Sequence, residues 1–329
     1  MSSPNTPLSR TSQSLQDALG AVHELPREIL VPIDFSRASL AALAYAVRLA
    51  EGTSHEMQLM HAVTPTPVEE AVTAQQLLVE AAQLRLEQLA KPLRDRGCNI
   101  VIVVKIGSAI DVIEGEVARF DPAKSEVVVV MGDRGLSAIR RTLLGSVADG
   151  ALRRLRCPVI VVHENDELSD RLRVVIGYGF DSDSLGALGT FLALFGHGRF
   201  SPRVELVHVL PEYEWVEGTE VPLLRTPPMD DVVQLRAEEL HAVAEALRKL
   251  GVDATSTVLR GEPARALLQR ATETRADLLV AGRRPRRALE RLMFGSVAEG
   301  VTHRGKCAVL TACAAPVTSR PATRAVILT

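Results

Sequence analysis

The chain has 329 residues, of which 47% are hydrophobic and 3% aromatic, and its formal net charge is −2. This near-neutral balance and the scarcity of aromatic residues argue against a general nucleic-acid binder, which needs a basic surface and stacking side chains. Neither a signal peptide, nor a membrane-spanning apolar run, nor a metal-binding cysteine spacing is expected, so we predict a cytoplasmic protein with no membrane or nucleic-acid partner.

The first half alternates short apolar strands with segments of helical periodicity. Residues 1–26, rich in Ser, Thr and Gln, are expected to form a disordered N-terminal segment. The predicted elements that follow are strand Glu28–Asp34, helix Ala38–Ala50, strand Met57–Val63, a long helix within Val68–Arg96, strand Ile100–Ile106, helix Ser108–Phe120, strand Glu126–Met131, helix Ser146–Leu155 and strand Pro158–Val162.

The second half repeats this order after a charged segment, His163–Arg171. Its predicted elements are strand Leu172–Tyr178, a helix near Ser184–Phe195, strand Val204–Leu210, a helix near Asp230–Leu250, strand Val252–Leu259, helix Ala264–Thr274, strand Asp277–Ala281, helix Ser296–His303 and strand Cys307–Thr311. In the remaining tail, Ala325–Leu328 could add a strand.

A repeat of 150 residues organises the chain. Gly282 follows Gly132 by 150 residues, and Gly295-Ser296 follows Gly145-Ser146 by the same interval. That period is too long for a solenoid and suits a whole domain. We therefore predict two copies of one domain, at 27–163 and 172–312, joined by a linker at 164–171 and followed by a tail at 313–329.

The alternation of strands and helices predicts an α/β fold of two tandem Rossmann-like domains, each an open parallel five-stranded sheet with helices on both faces. In such sheets ligands bind beyond the carboxyl ends of the strands, at the point where the strand order reverses. Asp34 ends the first strand and Gly132 ends the fourth. We therefore expect these two residues to meet in one crevice.

A glycine-rich loop begins at the end of the fourth strand, at Gly132, and ends at Gly145-Ser146, where a helix begins. Glycine lets the backbone approach a ligand without an intervening Cβ. The free N–H groups and the positive dipole of the helix N-terminus favour phosphate. The loop therefore predicts a phosphate-bearing ligand, although it does not specify the base.

The spacing Gly-x2-Gly-x9-Gly-Ser occurs in full at Gly132, Gly135, Gly145 and Ser146. Three other features accompany it: the segment from Pro32 to Ser36 (Pro-Ile-Asp-Phe-Ser), the strand ending from Met60 to Val63 (Met-His-Ala-Val), and Cys157-Pro158 before the fifth strand. With these features and its duplication, the chain resembles the tandem-domain universal stress proteins over about residues 27–163 and 172–312.

The resemblance implies that the first half binds ATP, with or without Mg²⁺, as part of a stress response. Asp34, with Pro32 and Ile33 beside it, would receive the adenine or ribose edge, and Ala62 and Met131 would line the adenine and sugar slot. The ribose and phosphates would be held by Gly132, Gly135, Gly145, Ser146 and Val147. The resemblance also implies pairing of the two halves through their fifth strands, with a homodimer of tandem chains as the alternative.

Several residues have a second interpretation. Asp34 could simply cap the helix that follows it. Asp133 could help to hold Mg²⁺ and Arg134 could reach a phosphate, or both could point to solvent. His61 and His208 occupy matching positions, where structural roles are favoured over metal binding. We identify no catalytic residue.

The second copy departs from the glycine pattern. Pro285 replaces the second glycine, and proline has a fixed φ and no N–H to donate. Aligning Phe180 with Phe35 places Gly179 at the position of Asp34, whereas a shifted alignment would offer Asp181. The arginines of this loop could clamp phosphates or form a solvated basic face, and the second is favoured: Arg283, Arg284, Arg286, Arg287 and Arg291.

Three functions are compatible with these features. The favoured hypothesis is a nucleotide-dependent sensor or regulator that holds its nucleotide mainly in the first half. The alternatives are a slow ATPase or adenylyl-transferring enzyme, for which no general base is evident, and an interaction scaffold with two vestigial clefts.

Overall fold

The computed structural model describes residues 28–65, 71–121, 127–135, 144–196, 199–211, 229–283 and 296–314. The predicted N-terminal disorder, the tail strand and Pro285 lie outside these ranges. Within them, no helix combines the length and the apolarity that a bilayer crossing requires.

The first half contains five strands and four helices within the described ranges. Its elements are β1 (Glu28–Pro32), α1 (Arg37–Ala50), β2 (Glu56–Val63), α2 (Ala71–Arg94), β3 (Asn99–Ile106), α3 (Ala109–Val117), β4 (Val127–Gly132), α4 (Ser146–Arg154) and β5 (Val159–Val162). The apolar runs form buried strands: β4 and β5 are covered on both faces, as their unbroken β-branched sequences predict.

The second half repeats this order. Its elements are β6 (Arg173–Gly177), α5 (Ser182–Phe195), β7 (Arg203–Leu210), α6 (Met229–Lys249), β8 (Asp253–Arg260), α7 (Pro263–Glu273), β9 (Leu278–Gly282), α8 (Ser296–Arg304) and β10 (Ala308–Ala312). The α/β fold of two tandem Rossmann-like domains is therefore confirmed.

The differences from prediction lie at element ends. β1 stops at Pro32 rather than Asp34, because the chain turns at Phe35, whose φ is +64°. Helix α3 covers Ala109–Val117 instead of Ser108–Phe120, with Ser108 as its N-cap. Side-chain capping fixes such ends, and periodicity alone does not locate them.

The ten strands found in the described residues form one sheet in the order β3-β2-β1-β4-β5-β10-β9-β6-β7-β8. Pairing is parallel within each half, but β5 and β10 pair antiparallel, with Ile160 opposite Leu310. The fifth strands of the two halves therefore meet at the centre, and β3 and β8 form the outer edges. In each half the strand order reverses between the first and fourth strands, which places a crevice at their carboxyl ends.

The core differs between the two faces of the sheet. On one face, α1, α2, α5 and α6 contribute to a single apolar cluster that runs through both halves. On the other face, α3 and α4 pack over the first half and α7 and α8 over the second, as two separate clusters. The halves thus share one core layer, so neither is packed independently of the other.

Candidate functional site

A cavity of about 540 Å³ lies at the carboxyl ends of β1, β2 and β4. All ten residues predicted to hold the ligand line it: Pro32, Ile33, Asp34, Ala62, Met131, Gly132, Gly135, Gly145, Ser146 and Val147. Its volume falls within the range usual for small-molecule sites. The fold therefore brings together residues that lie more than 100 positions apart in the sequence.

Asp34 reaches this cavity because the chain turns sharply after β1. Its Oδ1 accepts a hydrogen bond from the N–H of Ser36 at 3.0 Å. The N-cap of α1 is Ser36, whose Oγ accepts from the N–H of Ser39 at 3.2 Å. The interpretation of Asp34 as the helix cap is therefore wrong, because Ser36 has that role and Asp34 lies two residues before it.

The glycines of the loop have different roles. A Cβ on Gly132 would lie 2.7 Å from the carbonyl carbon of Ala38, so this glycine lets α1 approach the end of β4. A Cβ on Gly135 would lie 2.5 Å from Oδ2 of Asp34. Only Gly135 therefore faces the predicted ligand-binding carboxylate, whereas Gly132 is required first of all for packing.

The loop is closed at its base by a hydrogen bond from the N–H of Gly145 to the carbonyl oxygen of Asp133, at 2.7 Å. Gly145 is the N-cap of α4 and provides no side-chain acceptor for the first-turn N–H groups. The first-turn residues Ser146 and Val147 line the cavity. This arrangement of backbone donors and a positive helix end suits an anionic group.

Asp133 and Arg134 form an ion pair at the edge of the cavity, with Arg134 Nε 2.6 Å from Asp133 Oδ2. Asp133 is buried, so of its two alternatives the one in which it points to solvent is wrong. Among the described residues, no group of three or more His, Cys, Asp or Glu side chains could hold a metal ion.

The donors and acceptors that line the cavity fit a nucleotide. The backbone N–H groups and glycines of the loop suit the negative charge of phosphates. The Asp34 carboxylate stands in the same cavity and can accept hydrogen bonds from amino or hydroxyl groups. Apolar side chains, among them Ala62 and Met131, line the remainder.

Helices α1 and α3 and strand β2 supply lining residues that were not predicted to hold the ligand: Ser39 of α1, Met60 and His61 of β2, and Ala109, Val112 and Ile113 of α3. Val112 and Ile113 belong to the apolar face of α3, so the helical periodicity of apolar residues was the signal in the sequence that they face inward. Nδ1 of His61 donates to the carbonyl oxygen of Ile33 at 2.7 Å, which fits the structural role predicted for this histidine.

The second half has a smaller cavity, of about 440 Å³, at the equivalent position. Phe180 shares the left-handed backbone of Phe35, with φ of +57° and +64° respectively. Nδ1 of His208 bonds to the carbonyl oxygen of Tyr178, as His61 does to Ile33. This correspondence places Gly179 at the position of Asp34.

Asp181 does not replace the missing carboxylate by a shift in alignment. It is the N-cap of α5 and accepts from the N–H of Ser184 at 2.8 Å, so it corresponds to Ser36. Tyr178 takes the place of Ile33, and burial, followed by the charge of Asp181, raises the Tyr178 pKa to about 12. The second cavity is therefore lined by a bulkier side chain and lacks the strand-end carboxylate.

The favoured interpretation of the second loop as a solvated basic face is wrong for Arg283, which is only 2% exposed. Its Nη1 and Nη2 groups donate to carbonyl oxygens of the first half, those of Leu152 and Cys157, each at 2.6 Å. The other four arginines of this loop lie outside the described residues.

The family model of universal stress proteins matches residues 26–163 and 171–312. The universal stress protein Rv2623 of Mycobacterium tuberculosis is 29% identical over 293 residues, covering 86% of this chain and 95% of that protein. A universal stress protein of Mycolicibacterium smegmatis is 29% identical over 289 residues, covering 83% and 92% respectively. The crystal structure of a universal stress protein from Archaeoglobus fulgidus shares the fold, with 20% identity, a TM-score of 0.67, and coverage of 88% of this chain and 98% of that one.

Proposed function

Since the chain belongs to the universal stress protein family, we propose that it is a nucleotide-dependent sensor or regulator that holds ATP in its first half. The observation that carries the proposal is the convergence of the closed glycine loop, the N-terminus of α4 and Asp34 on one cavity. The second half, which lacks the carboxylate and the second glycine, then serves as a partner domain that does not hold nucleotide.

In the proposed complex, Gly135, Gly145, Ser146 and Val147 hold the ribose and phosphates. The N–H of Gly145 donates to the carbonyl oxygen of Asp133, so the first-turn N–H groups of α4 serve as donors to the phosphates. Asp34 receives the adenine or ribose edge beside Pro32 and Ile33. Ala62 and Met131 line the base and sugar slot, and Gly132 holds the end of β4 against α1. A Mg²⁺ ion would enter with the phosphates and neutralise part of their charge.

The cavity favours binding over rapid turnover. General acid–base catalysis requires a side chain positioned to exchange a proton with the substrate. Nδ1 of His61 is committed to a backbone carbonyl, and Asp133 is paired with Arg134. Among the described lining residues these groups are therefore held in structural contacts, which supports a sensor over a slow ATPase or an adenylyl-transferring enzyme.

We further propose that the units of the chain are residues 27–163 and 172–312, joined by 164–171, and that they pair within one chain through β5 and β10. This pairing uses the edge that each half would otherwise expose. A homodimer of tandem chains would then have to use another surface.

The four cysteines are free, and burial raises the pKa of the Cys157 and Cys307 thiols to about 12. These properties suit unreactive core thiols in a reducing cytoplasm.

The test is to purify the protein without added nucleotide, denature it, and count the released small molecules by mass spectrometry, alongside binding titrations with MgATP. About one adenine nucleotide per chain supports the proposal. About two would mean that the second half also holds nucleotide. No nucleotide, together with no binding of added MgATP, would overturn the proposal in favour of an interaction scaffold.

A further inference from the structure

Arg283 stands at the end of β9, at the position that Asp133 occupies in the first half. Its guanidinium crosses to the first half and donates to the carbonyl oxygens of Ala151 (3.3 Å), Leu152 (2.6 Å) and Cys157 (2.6 Å). Ala151 and Leu152 lie in the last turn of α4, and Cys157 lies in the connection from α4 to β5. A single side chain of the second half thus ties down the C-terminal end of α4.

The location suits a buried guanidinium. The last carbonyl groups of a helix have no partner within the helix, and together they carry partial negative charge. A cation that donates to several of them satisfies these acceptors and is itself stabilised by the helix dipole. Arg283 therefore acts as a C-terminal cap for a helix of the other half.

A second arginine does the same for α1. Arg199, which follows α5, donates from Nη1 to the carbonyl oxygens of Arg48 (2.9 Å) and Glu51 (3.2 Å), and from Nη2 to the Glu51 carboxylate (2.6 Å). Glu51 is the C-cap residue of α1. Two of the first-half helices that begin at the cavity, α1 after Ser36 and α4 after Gly145, are thus capped at their far ends by arginines of the second half.

Additional contacts fix α4 from the same side. Nε2 of His303 lies 3.2 Å from Oδ1 of Asp149, and Nη2 of Arg153 lies 3.2 Å from Oε1 of Glu299. Both pairs join α4 to α8. The helix that presents the N–H groups to the cavity is therefore held by second-half side chains along its length and at its end.

We propose that Arg283 is a positioning residue for the nucleotide site of the first half, with Arg199 in a supporting role at α1. By fixing the C-terminal end of α4, Arg283 orients the first-turn N–H groups of that helix toward the phosphates. The second half thus contributes to nucleotide affinity without touching the nucleotide. This inference rests on the proposed function.

The test compares Arg283→Met with Arg270→Met in the full-length protein. Arg270 is the matched control, because it pairs with Glu205 inside the second half, at 2.8 Å, and the contacts described for it lie within that half. The first readout needs no nucleotide: hydrogen exchange of the α4 amides. We expect faster exchange in α4 for Arg283→Met and unchanged exchange there for Arg270→Met.

The second readout is the MgATP dissociation constant from calorimetric titration. We expect Arg283→Met to raise it about five- to thirtyfold, the range for a well-placed cation at a helix C-terminus. Arg270→Met should leave it within about twofold of the wild type, because this change alters the second half alone. Arg283→Lys, which keeps the charge but not the fork of donors, should restore part of the affinity.

If Arg283→Met is folded and leaves both the α4 exchange and the dissociation constant at wild-type values, the inference is wrong. If Arg283→Met does not fold, Arg199→Met provides the same comparison through the α1 amides, and unchanged α1 exchange and MgATP affinity would overturn the proposal. If the wild type does not bind MgATP, the proposed function fails, whereas the exchange data still decide whether the second half fixes α4.

Discussion

Oδ2 of Asp34 occupies the space that a side chain on residue 135 would need, since a Cβ built on Gly135 would lie only 2.5 Å from it. The carboxylate and the glycine are therefore interdependent. In the second half the equivalent positions are Gly179 and Pro285, so both members of the pair have changed. Loss of the carboxylate removes the atom that a side chain at this loop position would meet, so the two changes are physically compatible.

This relationship predicts the effect of Gly135→Ala. The new methyl group must displace the Asp34 carboxylate or the loop, so we expect the MgATP dissociation constant to rise about tenfold or more. In an Asp34→Gly background the clash is absent, and the same change should cost far less. Calorimetric titration of the four proteins in a double-mutant cycle measures this coupling. Additive losses would show that the two residues act separately.

Asp34 itself can be tested with an isosteric change. Asp34→Asn keeps an oxygen that can accept from the N–H of Ser36 but removes the charge, whereas Asp34→Ala removes both. We expect either change to weaken MgATP binding by about 1–3 kcal/mol, the scale of a hydrogen bond to a charged group. The unfolding free energy of Asp34→Asn should stay near that of the wild type. An unchanged dissociation constant in Asp34→Asn would show that the negative charge of Asp34 does not contribute to MgATP binding.

The cleft was predictable from the sequence because its residues stand at strand ends and helix starts, which apolar runs and glycines mark locally. Asp34 and Gly132 could be predicted to lie close together, because the first and fourth strands flank the crevice in such sheets. The different roles of the two glycines were not predictable from the sequence. Both belong to the same loop motif, but Gly132 faces the backbone of Ala38 and Gly135 faces the carboxylate of Asp34.

The role of Arg283 had no local signal. Its acceptors are backbone carbonyls 126 to 132 residues earlier in the chain, and every residue type has a carbonyl group. A cluster of arginines in a loop predicts a solvated surface on composition alone. Only the antiparallel pairing of β5 with β10, which sets α4 beside the second half, makes one of these side chains a buried cap.

The first glycine of each loop is predicted to matter for stability in both halves. A Cβ on Gly132 would lie 2.7 Å from the carbonyl carbon of Ala38, and one on Gly282 would lie 2.6 Å from backbone atoms of Asp183 and Ser184. We therefore expect Gly132→Ala and Gly282→Ala each to lower the unfolding free energy by about 1–3 kcal/mol, as overpacking does.

The matched control for this prediction is Gly189→Ala, within α5, where a Cβ would meet no heavy atom within 4 Å. Alanine is the better helix former, so this change should raise the unfolding free energy by about 0.5–1 kcal/mol. Urea unfolding of the three variants gives the comparison. Equal effects in all three would show that close approach of the helix to the strand end is not the cause.

In each half a carboxylate takes part in a polar contact between a helix and the second strand, but the carboxylate lies on a different element in the two halves. In the first half Glu116 of α3 accepts from Gln58 of β2 at 3.1 Å and pairs with Lys105 and Arg119. In the second half the acid lies on the strand instead, as Glu205 of β7, and Arg270 of α7 pairs with it. Each half thus keeps a polar contact between this helix and its second strand, with the carboxylate on the helix in the first half and on the strand in the second.

The Glu116 contact predicts a pH dependence of stability. Burial alone would raise the pKa of Glu116, but hydrogen bonds from Lys105, Arg119 and Gln58 outweigh burial and lower the pKa from 4.5 to about 2. Because the folded-state pKa is the lower one, the stabilisation is present in full above about pH 4.5 and is lost as the pH falls toward 2. We expect Glu116 to contribute roughly 2–3 kcal/mol of this pH-dependent stability.

Glu116→Gln should flatten the unfolding free energy between pH 5 and pH 2 relative to the wild type, because the variant no longer titrates there. Glu87→Gln is the control, since its ion pair with Arg94 is exposed to solvent and such pairs contribute at most about 1 kcal/mol. Urea unfolding at a series of pH values separates the two. If the wild type and Glu116→Gln show the same slope across this range, protonation of Glu116 is not what couples the fold to acid.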